Sequence, residues 1–99
     1  MRESQVEAHL VTRAKALGIM VRKVKFLGVD GAPDRVLMVP DQARSGVSAR
    51  TTFWVELKRP GCTPRTRQLR EHEAMRAHGQ QVVVLDSIEA VDFFLEQFE

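Results

Sequence analysis

Gly31-Ala32-Pro33-Asp34-Arg35 and Phe53-Trp54-Val55-Glu56-Leu57-Lys58 open and close the stretch, residues 31–58, around which this chain is organised. Successive strand residues point to opposite faces, so Glu56 and Lys58 share one side while Val55 and Leu57 share the other. A carboxylate and an ammonium are thus aligned on one side of an otherwise apolar strand. A second carboxylate, Asp34, stands at the mouth of another apolar run, residues 36–39.

Working outward, residues 34–39 and 51–58 read as an antiparallel pair of strands joined by a polar, small-residue-rich loop over 40–50. Arg44 and Arg50 make that loop either a backbone-contacting arm or an ordinary solvated connection. Upstream, Val6, Leu10, Ala14 and Leu17 recur at helical spacing, which predicts a helix over 3–17 with Gly18 as its stop. A first strand follows over 19–26, then a turn over 27–33 that carries two glycines and a proline. Downstream, Thr63 reads as an N-cap with Pro64 at the first helical position, opening a helix to Ala77. Its apolar arc is thin: Leu69, His72 and Met75, with Gln68 among them. A buried fourth strand is expected over 81–85. Asp86 or Ser87 then caps a last helix lined by Ile88, Val91, Leu95 and Phe98 and widened by Phe93 and Phe94. The helix between strands three and four makes that pair parallel through a right-handed crossover. The expected order is αβββαβα around one mixed sheet, an α/β (α+β) fold.

The 99 residues fit a single domain spanning 1–99. No apolar run approaches a membrane span, and the first residues lack the basic-then-apolar pattern of a signal peptide. The one cysteine, Cys62, has no internal partner, which suits a reducing cytoplasm. Three scattered His and one Cys give no zinc-site spacing. The net charge of +2 hides an asymmetry: residues 86–99 carry 5 acidic groups and no Lys or Arg, which leaves 15 basic against 8 acidic groups in the first 85 residues. That basic body suits a polyanion, with the acidic end turned away, although charge alone also describes a solvated surface.

Two further features bear on chemistry. At ~100° per residue, Glu3 and Glu7 fall inside the arc bounded by the apolar residues of the first helix, and acids there are costly unless something pairs with them. Glu3, in the first turn, is also explained by the helix dipole, whereas Glu7 lies a turn further in. Arg65, Arg67 and Arg70 crowd the start of the helix after strand three, where cations are disfavoured unless an external anion such as phosphate binds the exposed N–H groups. Phosphodiester hydrolysis needs an activated water, relief of transition-state charge and a stabilised leaving oxygen. Divalent cations held by carboxylates supply much of this, and Mg²⁺ prefers oxygen ligands. Asp34 and Glu56 are the candidate ligands, with the backbone carbonyl of Leu57 a further donor and Glu7 binding directly or through water. Lys58 is placed to orient or deprotonate the water or to neutralise developing charge. Gln68 is placed to position Lys58 or a phosphate. Taken singly, each has a blander explanation: Glu56 and Lys58 as an ion pair, Pro33-Asp34 as turn chemistry. The ordered set is harder to explain that way. His72 reads as a packing or hydrogen-bonding residue, His9 and His78 as exposed, and Trp54 as a sheet aromatic or a base-stacking surface.

The set resembles the PD-(D/E)xK nuclease superfamily, and within it the small VRR-NUC (virus-type replication-repair nuclease) branch. The matching residues are Gly31-Ala32-Pro33-Asp34-Arg35, Phe53-Trp54-Val55-Glu56-Leu57-Lys58 and Gln68, together with Val6-Glu7, Gly18 and Val82-Val83-Val84-Leu85-Asp86-Ser87. The resemblance implies a restriction-endonuclease-like αβββαβ core and a Mg²⁺- or Mn²⁺-dependent DNA endonuclease. Asp34, Glu56 and Lys58 map onto the catalytic triad, and Glu7 onto the first-helix acid, with Glu3 as the alternative. Arg35, Arg59, Arg65, Arg67 and Arg70 are the candidate DNA contacts. Stand-alone members of the branch resemble Holliday-junction resolvases that act as homodimers in DNA repair. They are viral or bacterial, which implies the host cytoplasm. Two alternatives stay open: a nuclease of simpler DNA ends or duplexes, and an inactive DNA-binding or assembly module.

Overall fold

The computed structural model describes residues 1–40 and 52–99. The spacing of Val6, Leu10 and Ala14 produces α1 (Glu3–Ala16), which buries all three. Four strands follow the expected pattern. β1 (Met20–Lys23) pairs antiparallel with β2 (Arg35–Met38), and β2 pairs antiparallel with β3 (Thr52–Leu57). After α2 (Thr66–Ala77), β4 (Val82–Leu85) lies parallel to β3, and α3 (Ile88–Glu96) ends the order αβββαβα. The sheet order is β1-β2-β3-β4, which puts β3, the strand that carries Glu56, between two neighbours.

Alternation along β3 separates two environments. Phe53, Val55 and Leu57 turn toward α1 and α3 and join Leu10, Leu37, Val91 and Leu95 in the main core. Fully buried side chains such as Leu10 and Leu95 each contribute about 1.5–3 kcal/mol. Phe53, Phe94 and Phe98 meet edge to face with ring centroids 5.2–5.5 Å apart, which fixes α3 on this side. Glu56 and Trp54 face the opposite way, where α2 brings His72 to 3.4 Å from Glu56. Trp54 is half-buried, packs edge to face on Phe26 and donates its indole N–H to Gln80 at 2.9 Å. No helix among the described residues is long and apolar enough to cross a membrane.

Three details differ from expectation. β1 stops at Lys23 rather than residue 26 because its partner begins only at Arg35, after Pro33, which has no N–H to pair. α2 begins at Thr66, with Arg65 as N-cap in extended conformation, because Gln68 Oε1 accepts the Arg65 backbone N–H at 2.8 Å. His9 is half-buried rather than exposed and meets Asp92 at 2.7 Å. Arg13 reaches Asp92 and Glu99, both at 2.6 Å, so α1 neutralises part of the acidic end. The loop expected over 40–50, with Arg44 and Arg50, lies outside the described residues apart from Pro40.

Candidate active site

Glu56 is the anomaly of the sheet. Strand alternation and the cover of α2 leave it 7% exposed, and its Oε1 meets no hydrogen-bond donor. The nearest polar atom recorded for it is Nε2 of His72 at 3.4 Å; His72 is itself fully buried, with both ring nitrogens unpartnered. Burial pushes the Glu56 carboxyl up to about 7; Lys58 pulls it down, and the negative charges of Asp34 and Glu3 push it up. Burial likewise lowers the His72 imidazole, helped by the positive charge of Arg76. A buried acid raised by a neighbouring acid is the electrostatic pattern of a functional site.

Asp34 reaches the same place from the other edge of β3. Pro33 before it is fully buried, and the Asp34 carbonyl accepts the Val24 N–H at 2.9 Å, so the Asp34 backbone is fixed while its side chain stays exposed. Gly31 explains how the loop meets α2. Its φ is +89°, and a Cβ built there would lie 2.7 Å from the Arg67 carbonyl oxygen and 3.0 Å from the Gln68 nitrogen. The loop backbone and the first turn of α2 can approach this closely only with no side chain between them. The result is an open cleft of about 690 Å³ whose lining includes Gly31, Asp34, Glu56, Arg65, Arg67 and Gln68.

The other expected residues divide. Lys58 lines an adjoining groove with Glu3, Arg59, Cys62 and Thr63, and Arg65 borders both spaces. Glu7 is not in the cleft. Arg35 holds it with a hydrogen bond from Nε to Oε2 at 3.1 Å and an ion pair from Nη2 to Oε1 at 3.0 Å. That bond keeps the Glu7 carboxyl below the usual carboxylate range, and it commits Arg35, whose side chain is only 15% exposed, to the protein itself. The first-helix acid whose charge bears on Glu56 is therefore Glu3. Arg67 pairs with Asp30 at the rim, and Arg59 donates to Cys62 Sγ at 3.0 Å. Among the described residues, Arg65 and Arg70 are exposed and meet no carboxylate. Gln68 lines the cleft while its side-chain oxygen caps α2.

The backbone of Leu57 fits the oxygen-donor reading. Trp54 and Lys58 donate their N–H groups to the carbonyls of Gln81, just before β4, and Leu85, so alternation turns the polar groups of Leu57 toward the β2 side. There β2 pairing has already ended, at Arg35 opposite Val55. Among the described residues no three His, Cys, Asp or Glu side chains converge; of the three acids that line the cleft, Asp30 pairs with Arg67, while Asp34 and Glu56 meet no arginine or lysine. His72 is the residue whose place at the site was not read from the sequence. The available signal was its position four residues after Gln68, on the same helical face.

No family model matches the chain. The chain is 38% identical over 87 residues to "Putative nuclease p44" of Acyrthosiphon pisum secondary endosymbiont phage 1, a match that covers 88% of this chain and 85% of that one. A solved structure described as "VRR_NUC domain" superposes with a TM-score of 0.81 at 34% identity, over 98% of this chain and 97% of its own. Related in sequence to a phage nuclease over most of its length, and sharing its fold with a solved VRR-NUC domain, the chain belongs to the VRR-NUC family of nucleases.

Proposed function

We propose that residues 1–99 form a single VRR-NUC domain that acts as a divalent-metal-dependent DNA endonuclease on branched DNA such as Holliday junctions. The observation that carries this reading is the pairing of Asp34 and Glu56 in one cleft, walled by the arginine-bearing start of α2. The two acids fit a hard cation. One has a buried oxygen that meets no donor, its carboxyl is raised to about 7, and the other acid contributes to that rise. Asp34, Glu56 and the Leu57 carbonyl would hold Mg²⁺ or Mn²⁺, all as oxygen donors, with water completing the set. Bound there, the ion would acidify a water and offset charge on the scissile phosphate.

The chain's own residues supply the rest. Arg65 and Arg70, exposed at the start of α2, would hold the phosphate backbone beside the helix N-terminus. Gln68 orients that first turn. Lys58 would take or hold a proton beside the reacting phosphate, working from the groove that meets the cleft at Arg65. A homodimer in the host cytoplasm completes the proposal. Phe93, 78% exposed on α3, supports α3 as the dimer face, and Cys62, free among the described residues, suits a reducing compartment.

The test is a substrate panel: four-way junction, flap, duplex and single strand, each with Mg²⁺ or Mn²⁺ and with Asp34→Asn as control. Cutting of the junction in preference to the duplex, lost in Asp34→Asn, is the expected result. No cutting of any substrate with either ion overturns the enzymatic reading, and equal cutting of duplex and junction overturns the branched-DNA preference. Sedimentation of wild type and Phe93→Glu checks the dimer, which the substitution should dissociate.

A further inference from the structure

The strongest unexplained feature of the molecule is His72. An imidazole with no exposure and no hydrogen bond to either ring nitrogen is a polar group placed where an apolar side chain would pack more cheaply. It lies against one other orphan, Glu56 Oε1, at 3.4 Å from Nε2. Each lacks a hydrogen-bond partner, and each is within a few tenths of an ångström of meeting the other.

We propose that His72 is a positioning residue for Glu56: its Nε2–H holds one carboxylate oxygen from beneath, which leaves the other for the cleft that Glu56 lines. This rests on the nuclease reading above, in which Glu56 is a ligand of the divalent ion. The backbone makes the arrangement rigid. Gly31 fixes the first turn of α2 against the Asp34 loop, and the Gln68 cap sets where that helix begins. One turn on from Gln68, the same face delivers His72 under β3. Gln68 at the cleft and His72 below the carboxylate are thus one device, a helix face that presents both to the acids. Partners of this kind, standing behind a ligand rather than touching the ion, fix its rotamer, and an N–H donor there favours the ionised carboxylate that a cation needs.

Two measurements on the full chain decide it. The first uses metal-free protein: a long-range ¹H–¹⁵N spectrum of the imidazoles at about pH 8.5, where a free imidazole is neutral. The His72 ring should appear as the Nε2–H tautomer, and its resonances should move in Glu56→Gln. An Nδ1–H tautomer, or resonances that Glu56→Gln leaves in place, overturns the contact. The second is calorimetric titration with Mn²⁺. His72→Leu, with its fold checked by thermal melting, should bind Mn²⁺ about 10–100-fold more weakly. His72→Gln, which restores an N–H donor, should recover most of that loss, whereas a residue that only packs would be replaced better by leucine. Wild-type affinity in folded His72→Leu overturns the positioning role. Wild-type protein that binds no Mn²⁺ overturns the metal reading instead, and the spectrum still decides whether His72 holds Glu56.

Discussion

Replacing Gly31 by alanine tests whether the cleft is held together where the loop before β2 meets α2. Two costs add. A left-handed backbone at φ +89° disfavours any residue with a Cβ, by roughly 1–2 kcal/mol. The new carbon would also lie 2.7 Å from the Arg67 carbonyl oxygen and 2.8 Å from its carbon. Both are backbone atoms, so no side chain can swing aside, and forcing an extra carbon into packed structure costs about 1–3 kcal/mol more. The expected loss is therefore about 2–5 kcal/mol. Gly61 provides the control, because its φ of +85° is similar and a Cβ there meets nothing within 4 Å. Gly61→Ala should lose only the conformational part. Urea unfolding of both variants, with unchanged denaturant slope, measures the difference, and each 1 kcal/mol should also lower the melting temperature by about 4–8 °C. If Gly31→Ala is no less stable than Gly61→Ala, the close approach of loop and helix is not what shapes the cleft.

The remaining predictions concern charge. The folded chain keeps a proton on Glu56 up to about pH 7 that the unfolded chain releases near 4.5, so without divalent cation stability should fall as pH rises through that window. The fall amounts to about 3 kcal/mol at most, and Glu56→Gln should remove it and leave a protein more stable than wild type at alkaline pH, as read by urea unfolding across pH. Arg35→Ala should cost about 1–3 kcal/mol by stranding half-buried Glu7. The stability that Glu7 contributes is present above its unfolded pKa and is lost as pH falls through its lowered folded value, so Arg35→Ala should also flatten the acid limb of the profile. If Arg65 and Arg70 contact phosphates, alanine at each should weaken DNA binding on every sequence and reduce the salt slope by about one; an unchanged slope removes them from the interface.

The pattern of strands and helices was legible because local signals agreed. The helical spacing of Val6, Leu10 and Ala14 and the alternation of Phe53 to Leu57 needed no tertiary context. The fourth strand lay parallel because a helix had to intervene. Boundaries were harder where a side chain overrode propensity. Thr63-Pro64 is a good helix start by itself, yet Gln68 caps Arg65, and the helix opens two residues later than Pro64. At the site, strand alternation placed Glu56, and position before an apolar run placed Asp34. What spacing could not reveal was which charge meets which. Glu3 and Glu7 lie in the same arc of a helical wheel, and only the reach of Arg35 across from β2 shows that Glu7 is paired within the protein, while the charge of Glu3 bears on Glu56. Leu69, read as part of an apolar arc, is 49% exposed, while His72 in the same arc is fully buried. That reversal depends on which face α2 lays against the sheet, and its start is met from outside the helix by the backbone of Gly31.

The central claim is that Asp34, Glu56 and Lys58 act together on a phosphodiester. It is tested most directly by cleavage of a four-way junction in Mg²⁺ by wild type, Glu56→Ala and Lys58→Ala, with DNA binding measured alongside. Both variants should bind the junction nearly as wild type does while cleavage falls by at least ~10²-fold, the scale expected for losing a proton-transfer group. Cleavage at the wild-type rate by either folded variant would contradict the account.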